Sequence, residues 1–185
     1  SKFGSYGGGD SQFNYPYGIT LDSTGNIYVS DSNNRIQKFS FNGTFISKFG
    51  SSGTGDGQFN SPRGITLDNA GNIYVADANN HRIQKFSSDG TFISKFGSSG
   101  TGDGQFQNPC EITLDNAGNI YVVDGQNHRI QKFSSAGTFI SKFGSLGAGD
   151  SQFNYPHEIT LDNTGNVYVS DTNNNRIQKF SPALD

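Results

Sequence analysis

The sequence contains no tryptophan and no methionine, only five prolines, and a single cysteine, Cys110. One cysteine excludes a disulfide within the chain. No apolar run is long enough to cross a bilayer as a helix, so no membrane partner is expected. No segment carries a sustained helical stripe of apolar residues, which excludes a helical domain. Acidic residues outnumber basic ones by 16 to 13, for a formal net charge of −3.

The chain is instead rich in glycine and phenylalanine and repeats itself four times. Phe3, Phe49, Phe96 and Phe143 recur at intervals of 46, 47 and 47 residues. A fixed period of this size predicts a repeat architecture. We divide the single domain, residues 1–185, into units 5–50, 51–97, 98–144 and 145–185. Units this similar are typical of an engineered or recently amplified sequence.

Within a unit, apolar residues alternate with a period of two, as in Ile65 and Leu67 and then Ile73 and Val75. Glycine-containing turns such as 69–72 and 88–91 separate these short runs. Alternation between such turns predicts that each unit is a four-stranded antiparallel meander. Because one such sheet has two apolar faces, the sheets are expected to stack around an axis as the blades of an all-β β-propeller.

The ends of the chain suggest how the ring closes. Residues 1–4 match the end of a fourth strand, whereas the last unit stops after its third strand. The N-terminus is therefore predicted to supply the closing outer strand of the last blade, which removes an open sheet edge. Two arrangements remain open: a four-blade ring within one chain, or an eight-blade ring in which a homodimer exchanges chain ends.

Candidate binding residues are the positions that differ between otherwise uniform units. They lie where the chain enters the innermost strand, near one end of the predicted channel. The predicted binding set is Tyr15, Tyr17, Arg63, Cys110, Glu111, Tyr155, His157 and Glu158. Four of these, Cys110, Glu111, His157 and Glu158, carry zinc-type ligand groups, but no ligand spacing accompanies them. The alternative is drift at exposed loops, and no metal or cofactor is expected.

The segments 71–86 and 118–133 share the order Gly-Asn-Ile-Tyr-Val followed by Asn-His-Arg-Ile, and each unit also contains Pro-x-x-Ile-x-Leu-Asp. These motifs resemble NHL repeats over essentially the whole chain. Two units depart from the pattern: Asn175 replaces the histidine, and the first unit is one residue shorter between Asp31 and Arg35. The resemblance implies a propeller in which His81 and His128 are structural.

The resemblance also implies functions to weigh. Some similar proteins bind RNA, but the negative charge and the regular placement of 12 of the 13 basic residues disfavour that. Similar lyases use zinc held by histidines with a catalytic tyrosine and arginine. Tyr17, Arg63 and His157 match those types, yet three unpatterned histidines are lacking. We therefore predict a non-catalytic binding or scaffold propeller for a protein or small ligand. A metal-dependent lyase or hydrolase is the alternative, and no catalytic residue is nominated.

Overall fold

A computed structural model describes residues 2–182 of the chain. Ser1, in the predicted closing strand, and residues 183–185, in the last unit, lie outside the described residues. The chain is all-β and forms a four-blade β-propeller from four antiparallel sheets. In the part of the chain that is described, no helix has the length and apolar character needed to span a membrane.

Each blade follows a short parallel ribbon or bridge and runs outward from the innermost strand. The first ribbon is β1 (Ser5–Tyr6) with β2 (Gln12–Phe13), and the first blade is β3 (Pro16–Leu21), β4 (Ile27–Asp31), β5 (Arg35–Phe39) and β6 (Phe45–Phe49). The second ribbon is β7 (Ser51–Ser52) with β8 (Gln58–Phe59), and the second blade is β9 (Pro62–Leu67), β10 (Ile73–Asp77), β11 (Arg82–Phe86) and β12 (Phe92–Phe96). The third blade is β13 (Pro109–Leu114), β14 (Ile120–Asp124), β15 (Arg129–Phe133) and β16 (Phe139–Phe143). The fourth blade is β17 (Pro156–Leu161), β18 (Val167–Asp171) and β19 (Arg176–Phe180).

The predicted turn at 69–72 joins the first two strands of the second blade. Asp68 accepts hydrogen bonds at Oδ1 from the Ala70 and Asn72 N–H groups, at 3.0 and 2.8 Å. Gly71 has φ +82°, a conformation that L side chains rarely adopt. The aspartate and the glycine therefore explain why the chain reverses at this point in every unit.

A second turn links the middle strands of each blade. In the last three blades it is a single 3-10 turn, Ala78–Asn80, Gly125–Asn127 and Thr172–Asn174. The left-handed residue that ends it is His81, His128 or Asn175. In the shorter first unit, Asn34 takes the left-handed conformation and its N–H donates to Asp31 O at 3.0 Å. The missing residue thus shortens the turn and leaves the blade intact.

The hydrophobic core lies between blades. One cluster joins Tyr28 and Ile36 of the first blade to Ile65, Val75 and Phe86 of the second, and equivalent clusters fill the next two junctions. Phenylalanine rings stack at the outer side of each junction, where the Phe49 and Phe86 centroids are 4.9 Å apart. The apolar residues of each unit are therefore buried by the neighbouring blade and not within one sheet.

The ring is not sealed between the last blade and the first. The first face, which we define by Ile19 and Leu21 of β3, is open to solvent, and so is the last face, defined by Tyr168, Ser170 and Ile177. Ile19 is 66% exposed whereas the equivalent Ile65 is 4% exposed. Ile177 is 67% exposed whereas Ile36 is fully buried.

The predicted closing strand is not paired with the last blade among the described residues, where that sheet has three strands. Phe3 packs instead on Phe39, with ring centroids 5.0 Å apart. Phe49 makes the same contact with Phe86 in the next blade. Residues 2–4 therefore occupy the place of an outer strand that comes before the first blade, and the closing strand stays a prediction.

Candidate functional site

A buried polar brace occurs in every blade and supports the loops around the channel. In the second blade, Asp77 Oδ2 accepts hydrogen bonds from Arg82 Nε at 2.8 Å and from Gln84 Nε2 at 3.1 Å. The Arg82 guanidinium also donates to the carbonyls of Thr54, Gly55 and Gln58. Because a buried charge needs this many partners, the brace is a structural element and its arginine is fully engaged.

The variable residues at the ends of the innermost strands form a line around Arg63. The Arg63 guanidinium carbon lies 5.6 Å from the centre of the Tyr17 ring. Nη1 is 3.5 Å from Cys110 Sγ, and the nearby Tyr155 side chain helps to raise the pKa of Arg63 against the effect of burial. Arg63 Nε is buried without a hydrogen-bond partner among the described residues. This line, Tyr17–Arg63–Cys110–Tyr155, spans all four blades, and we call it the Arg63 line.

Cys110 is a buried member of this line, with 2% of its surface exposed. Burial raises the pKa of its thiol, and Arg63 opposes that shift. Its Sγ lies 3.4 Å from the Asn108 carbonyl, to which the thiol donates. A β-carbon on Gly125 would lie 2.7 Å from Cys110 Sγ. This close approach explains why the third blade has glycine where the second blade has Ala78. A neutral, enclosed thiol is a poor nucleophile and a poor metal ligand.

A carboxylate pair stands beside the line. Burial, followed by the nearby Glu158 charge, raises the pKa of Glu111 to about 8. A hydrogen bond from His157 Nδ1, 3.0 Å from Glu158 Oε1, lowers the pKa of Glu158. Gly64 makes room for the pair, since a β-carbon there would lie 2.4 Å from Glu111 Oε1. At neutral pH, Glu111 therefore keeps its proton while Glu158 is ionised.

The repeated units match the sequence pattern of the NHL repeat at residues 13–39, 59–86, 106–133 and 153–180. These segments cover more than half of the chain. The chain belongs to the NHL repeat family. A curated relative, the protein lin-41 of Caenorhabditis elegans, is 48% identical over 46 residues, which are 24% of this chain and 4% of lin-41.

Solved structures share the propeller fold of this chain at low sequence identity. A protein of unknown function from Bacteroides thetaiotaomicron superposes with a TM-score of 0.77 and 24% identity, over 91% of this chain and 47% of that one. A streptogramin B lyase superposes with a TM-score of 0.67 and 20% identity, over 92% of this chain and 55% of the lyase. A third structure is a catalytically inactive virginiamycin B lyase from Staphylococcus aureus with quinupristin. It superposes with a TM-score of 0.65 and 21% identity, over 92% of this chain and 56% of the lyase. This chain thus spans about half the length of the structures it matches, and the likeness extends to the fold alone.

The NHL structure divides the predicted binding residues into groups. Tyr17, Arg63, Cys110 and Tyr155 form the Arg63 line, and Glu111, His157 and Glu158 form the second group. Tyr15 is 74% exposed and belongs to neither. Within residues 2–182, no three histidine, cysteine, aspartate or glutamate side chains are placed to hold a metal ion.

Asn108 is a residue of this end that the predicted set omitted. Its Nδ2 donates to Asn79 Oδ1 at 3.0 Å, while its Oδ1 is buried without a partner in the described part of the chain. The signal that could have identified it was present in the sequence. The residue before each inner-strand proline varies between units, as Tyr15, Ser61, Asn108 and Tyr155.

The NHL histidines His81 and His128 join neighbouring blades. His81 Nδ1 accepts the Asn108 N–H at 3.2 Å, and His128 Nδ1 accepts the Tyr155 N–H at 3.0 Å. Asn34 does the same in the first junction, where its Oδ1 accepts the Ser61 N–H at 2.8 Å. These two histidines therefore have a structural role, and only His157 carries its imidazole beside the carboxylate pair.

The basic residues of the NHL units are mostly paired with acids. Lys48 and Lys95 contact Asp10 and Asp56 at 2.6 Å, and Lys85 lies 3.5 Å from Asp68. The four repeated arginines are all held in the Asp brace. Arg63 is thus the basic side chain that stands outside the repeated ion pairs at this end.

Proposed function

We propose that this NHL propeller is a non-catalytic binding module that holds a protein or small ligand at the Arg63 line. The observation that supports the proposal most directly is the setting of Arg63. Its guanidinium lies between an aromatic face and a thiol, and its Nε has no acceptor among the described residues. Nε itself is enclosed, but the Arg63 side chain as a whole is half-buried, so an acceptor group on a ligand would bind the exposed part of the guanidinium.

The chemistry of this end favours a ligand that carries a carboxylate or another planar oxygen acceptor. Arginine donates in a planar fork that matches such groups, and Tyr17 beside it offers a half-exposed ring. Arginine and tyrosine are also the residue types that contribute most to protein recognition. An acidic peptide or loop therefore fits the Arg63 line. The ionised Glu158 beside the line would repel a ligand that carries many negative charges.

Other observations support this function over the two alternatives. His81 and His128 each use Nδ1 to accept a backbone N–H that joins two blades, which supports a structural role over a metal-ligating one. A zinc lyase that needs several histidines would have to find them elsewhere. RNA binding requires clustered free cations, whereas the repeated arginines and most lysines here are in ion pairs.

Random peptides displayed on phage would test the proposal. We expect selection on the wild-type chain to enrich peptides with an acidic residue, and Arg63→Ala or Tyr17→Ala to weaken the selected peptides at least about tenfold, or ~1.4 kcal/mol. Lys48→Ala is the matched control, because this cation lies on an outer strand and pairs with Asp10. Peptides that bind Arg63→Ala as tightly as the wild type would place the binding surface elsewhere. Stoichiometric zinc in the purified protein would favour the lyase instead.

A further inference from the structure

We propose that the last face of one chain binds the first face of a second copy, so that two chains form a closed ring of eight blades. This inference goes beyond the proposed function, because the association requires no ligand. It rests on the three junctions that the chain already makes within itself. Each of these joins the face equivalent to the last face to the face equivalent to the first face.

The apolar residues of the two open faces match those of a sealed junction. Between the first two blades, Ile36 and Tyr28 pack against Ile65 and Val75, and all four side chains are buried. Ile177 and Tyr168 stand at the equivalent places on the last face, beside a depression of about 350 Å³. Ile19, equivalent to Ile65, projects from the first face. The open faces are therefore the two halves of one junction.

A serine hydroxyl shows that the match extends to hydrogen bonding. Ser30 Oγ accepts the Gly18 N–H at 2.9 Å and donates across the junction to the Arg63 carbonyl at 2.5 Å. The other internal blades have Ala76 and Val123 at this position, but the last blade again has a serine, Ser170. Ser170 Oγ accepts the Glu158 N–H at 2.8 Å. In the proposed ring its hydroxyl donates to the Tyr17 carbonyl of the second chain.

A second complementary pair involves the left-handed residue before the third strand. Asn34, His81 and His128 each accept a backbone N–H from the residue before the proline of the next blade. The equivalent acceptor on the last blade is Asn175, and the equivalent donor on the first blade is the Tyr15 N–H. Within residues 2–182, neither group takes part in such a bond. A second copy brings the two together.

The N-terminal segment is already positioned for this assembly. Phe49 has two contacts at once: it pairs with Ile36 in its own sheet, and its ring packs on Phe86 of the next blade. Phe3 has the second contact, on Phe39, but lacks the first. In the ring, Phe3 pairs with Ile177 of the second chain without leaving Phe39. The closing strand is thus supplied between chains.

The choice of two copies rests on the length of the larger chains that the four blades match. They superpose on the Bacteroides thetaiotaomicron protein with a TM-score of 0.77 and match 47% of that chain. Because four blades match about half of the larger chain, we place two copies in the ring. Two such chains, related by a two-fold axis, bury both pairs of open faces and leave no further face exposed.

The assembly also completes the channel end. Tyr17 lies beside Arg63, and Arg63 beside Cys110, which are equivalent positions in successive blades. The equivalent position in the last blade is His157, beside Tyr155 of the line, and Tyr17 of the second chain follows it in the ring. The Arg63 line therefore continues across the junction, and the ring contains two copies of it.

Light scattering on a sizing column tests the inference directly, at two protein concentrations. We expect a molar mass of about twice the 19.9 kDa of one chain. Ile177→Asp and Ile19→Asp should each raise the dissociation constant at least about a hundredfold, since a buried carboxylate would lie in both junctions. Ile93→Asp is the matched control, because this isoleucine is 48% exposed on an outer strand away from the open faces, and it should leave the mass unchanged.

Both isoleucines are exposed in the single chain, so the variants should keep the wild-type circular dichroism. A wild-type mass of one chain at both concentrations would overturn the proposal, and so would a mass above two chains. A dimer that persists equally in Ile177→Asp and Ile19→Asp would also overturn it, because it would have to form through other surfaces. None of these outcomes depends on peptide binding, so the proposed function can fail or succeed separately.

Discussion

The brace around Asp77 and the line around Arg63 lie in the same blade but differ in how completely their groups are satisfied. Asp77 and Arg82 find all their partners within the chain, and the arrangement repeats in the other three blades. Arg63 occurs once and keeps a buried Nε without an acceptor among the described residues. The comparison teaches that the repeated residues hold the blades together, while an unrepeated residue such as Arg63 is not fully hydrogen-bonded within the chain and is available to a ligand.

The largest effect is expected from breaking the brace. Asp77→Ala removes the acceptor for Arg82, Gln84 and Asn80 and leaves a buried guanidinium without its counterion. We expect a loss of about 3–5 kcal/mol in the free energy of unfolding, measured with urea.

The last blade provides the matched control for this variant. The Arg176 side chain that pairs with Asp171 is 29% exposed, against 8% for Arg82. Water can therefore solvate Arg176 when its partner is removed, and Asp171→Ala should cost less than Asp77→Ala. Equal losses at the two sites would show that burial does not set the strength of the brace.

A similar loss in the free energy of unfolding is expected when a phenylalanine is removed from the cluster of rings between two blades. Phe86 is fully buried, and its ring lies 4.9 Å from Phe49 and 5.5 Å from Phe59. Phe86→Ala should lower the free energy of unfolding by about 3–5 kcal/mol. Phe41 is 78% exposed, so Phe41→Ala should change it by less than about 0.5 kcal/mol. A small loss for Phe86→Ala would mean that the junction refills the cavity.

The smallest effect concerns the variable end, and it depends on pH. Glu111 holds its proton in the folded chain up to a pKa of about 8, whereas the unfolded chain releases it near 4.5. Its contribution to stability is therefore full at low pH and declines as pH rises through this window. Between about pH 5 and pH 8, we expect the unfolding free energy of wild type to fall steadily relative to that of Glu111→Gln, because the wild-type folded chain must hold the proton that the unfolded chain releases.

Comparing the two proteins above pH 5 isolates Glu111, because the pKa of Glu158 is lowered from 4.5 and its contribution to stability changes only at lower pH. Urea unfolding at several pH values provides the curves. If the curves of Glu111→Gln and wild type run parallel over this range, the carboxyl group of Glu111 titrates alike in the folded and unfolded chains.

The blades could be predicted from the sequence because each is specified four times by local patterns. The alternation of Ile65 and Leu67 and the turn around Gly71 are short-range signals, and the structure confirms the strands and the turn. The predicted NHL resemblance is also confirmed by the match to all four units. Repetition made these positions easy to recognise, because every unit supplies the same evidence.

The contacts of the unrepeated residues could not be predicted in the same way. Cys110 and His157 seemed equivalent candidates for a metal site, but burial encloses the thiol while His157 binds the neighbouring Glu158. The sequence also does not reveal the open faces, since Ile177 and Ile36 occupy identical positions in the repeat. Which of them is buried depends on the blade beside it, and that neighbour is not encoded in the unit itself.

The residue that ends the second turn gives the junctions different chemistry. Asn34 presents an amide oxygen to the next blade. His81 and His128 present a ring nitrogen, Nδ1, to the equivalent backbone N–H. Replacing one of these three residues by alanine would remove an acceptor from one junction and leave the other two intact. Blades that look interchangeable in shape can therefore be loosened one junction at a time.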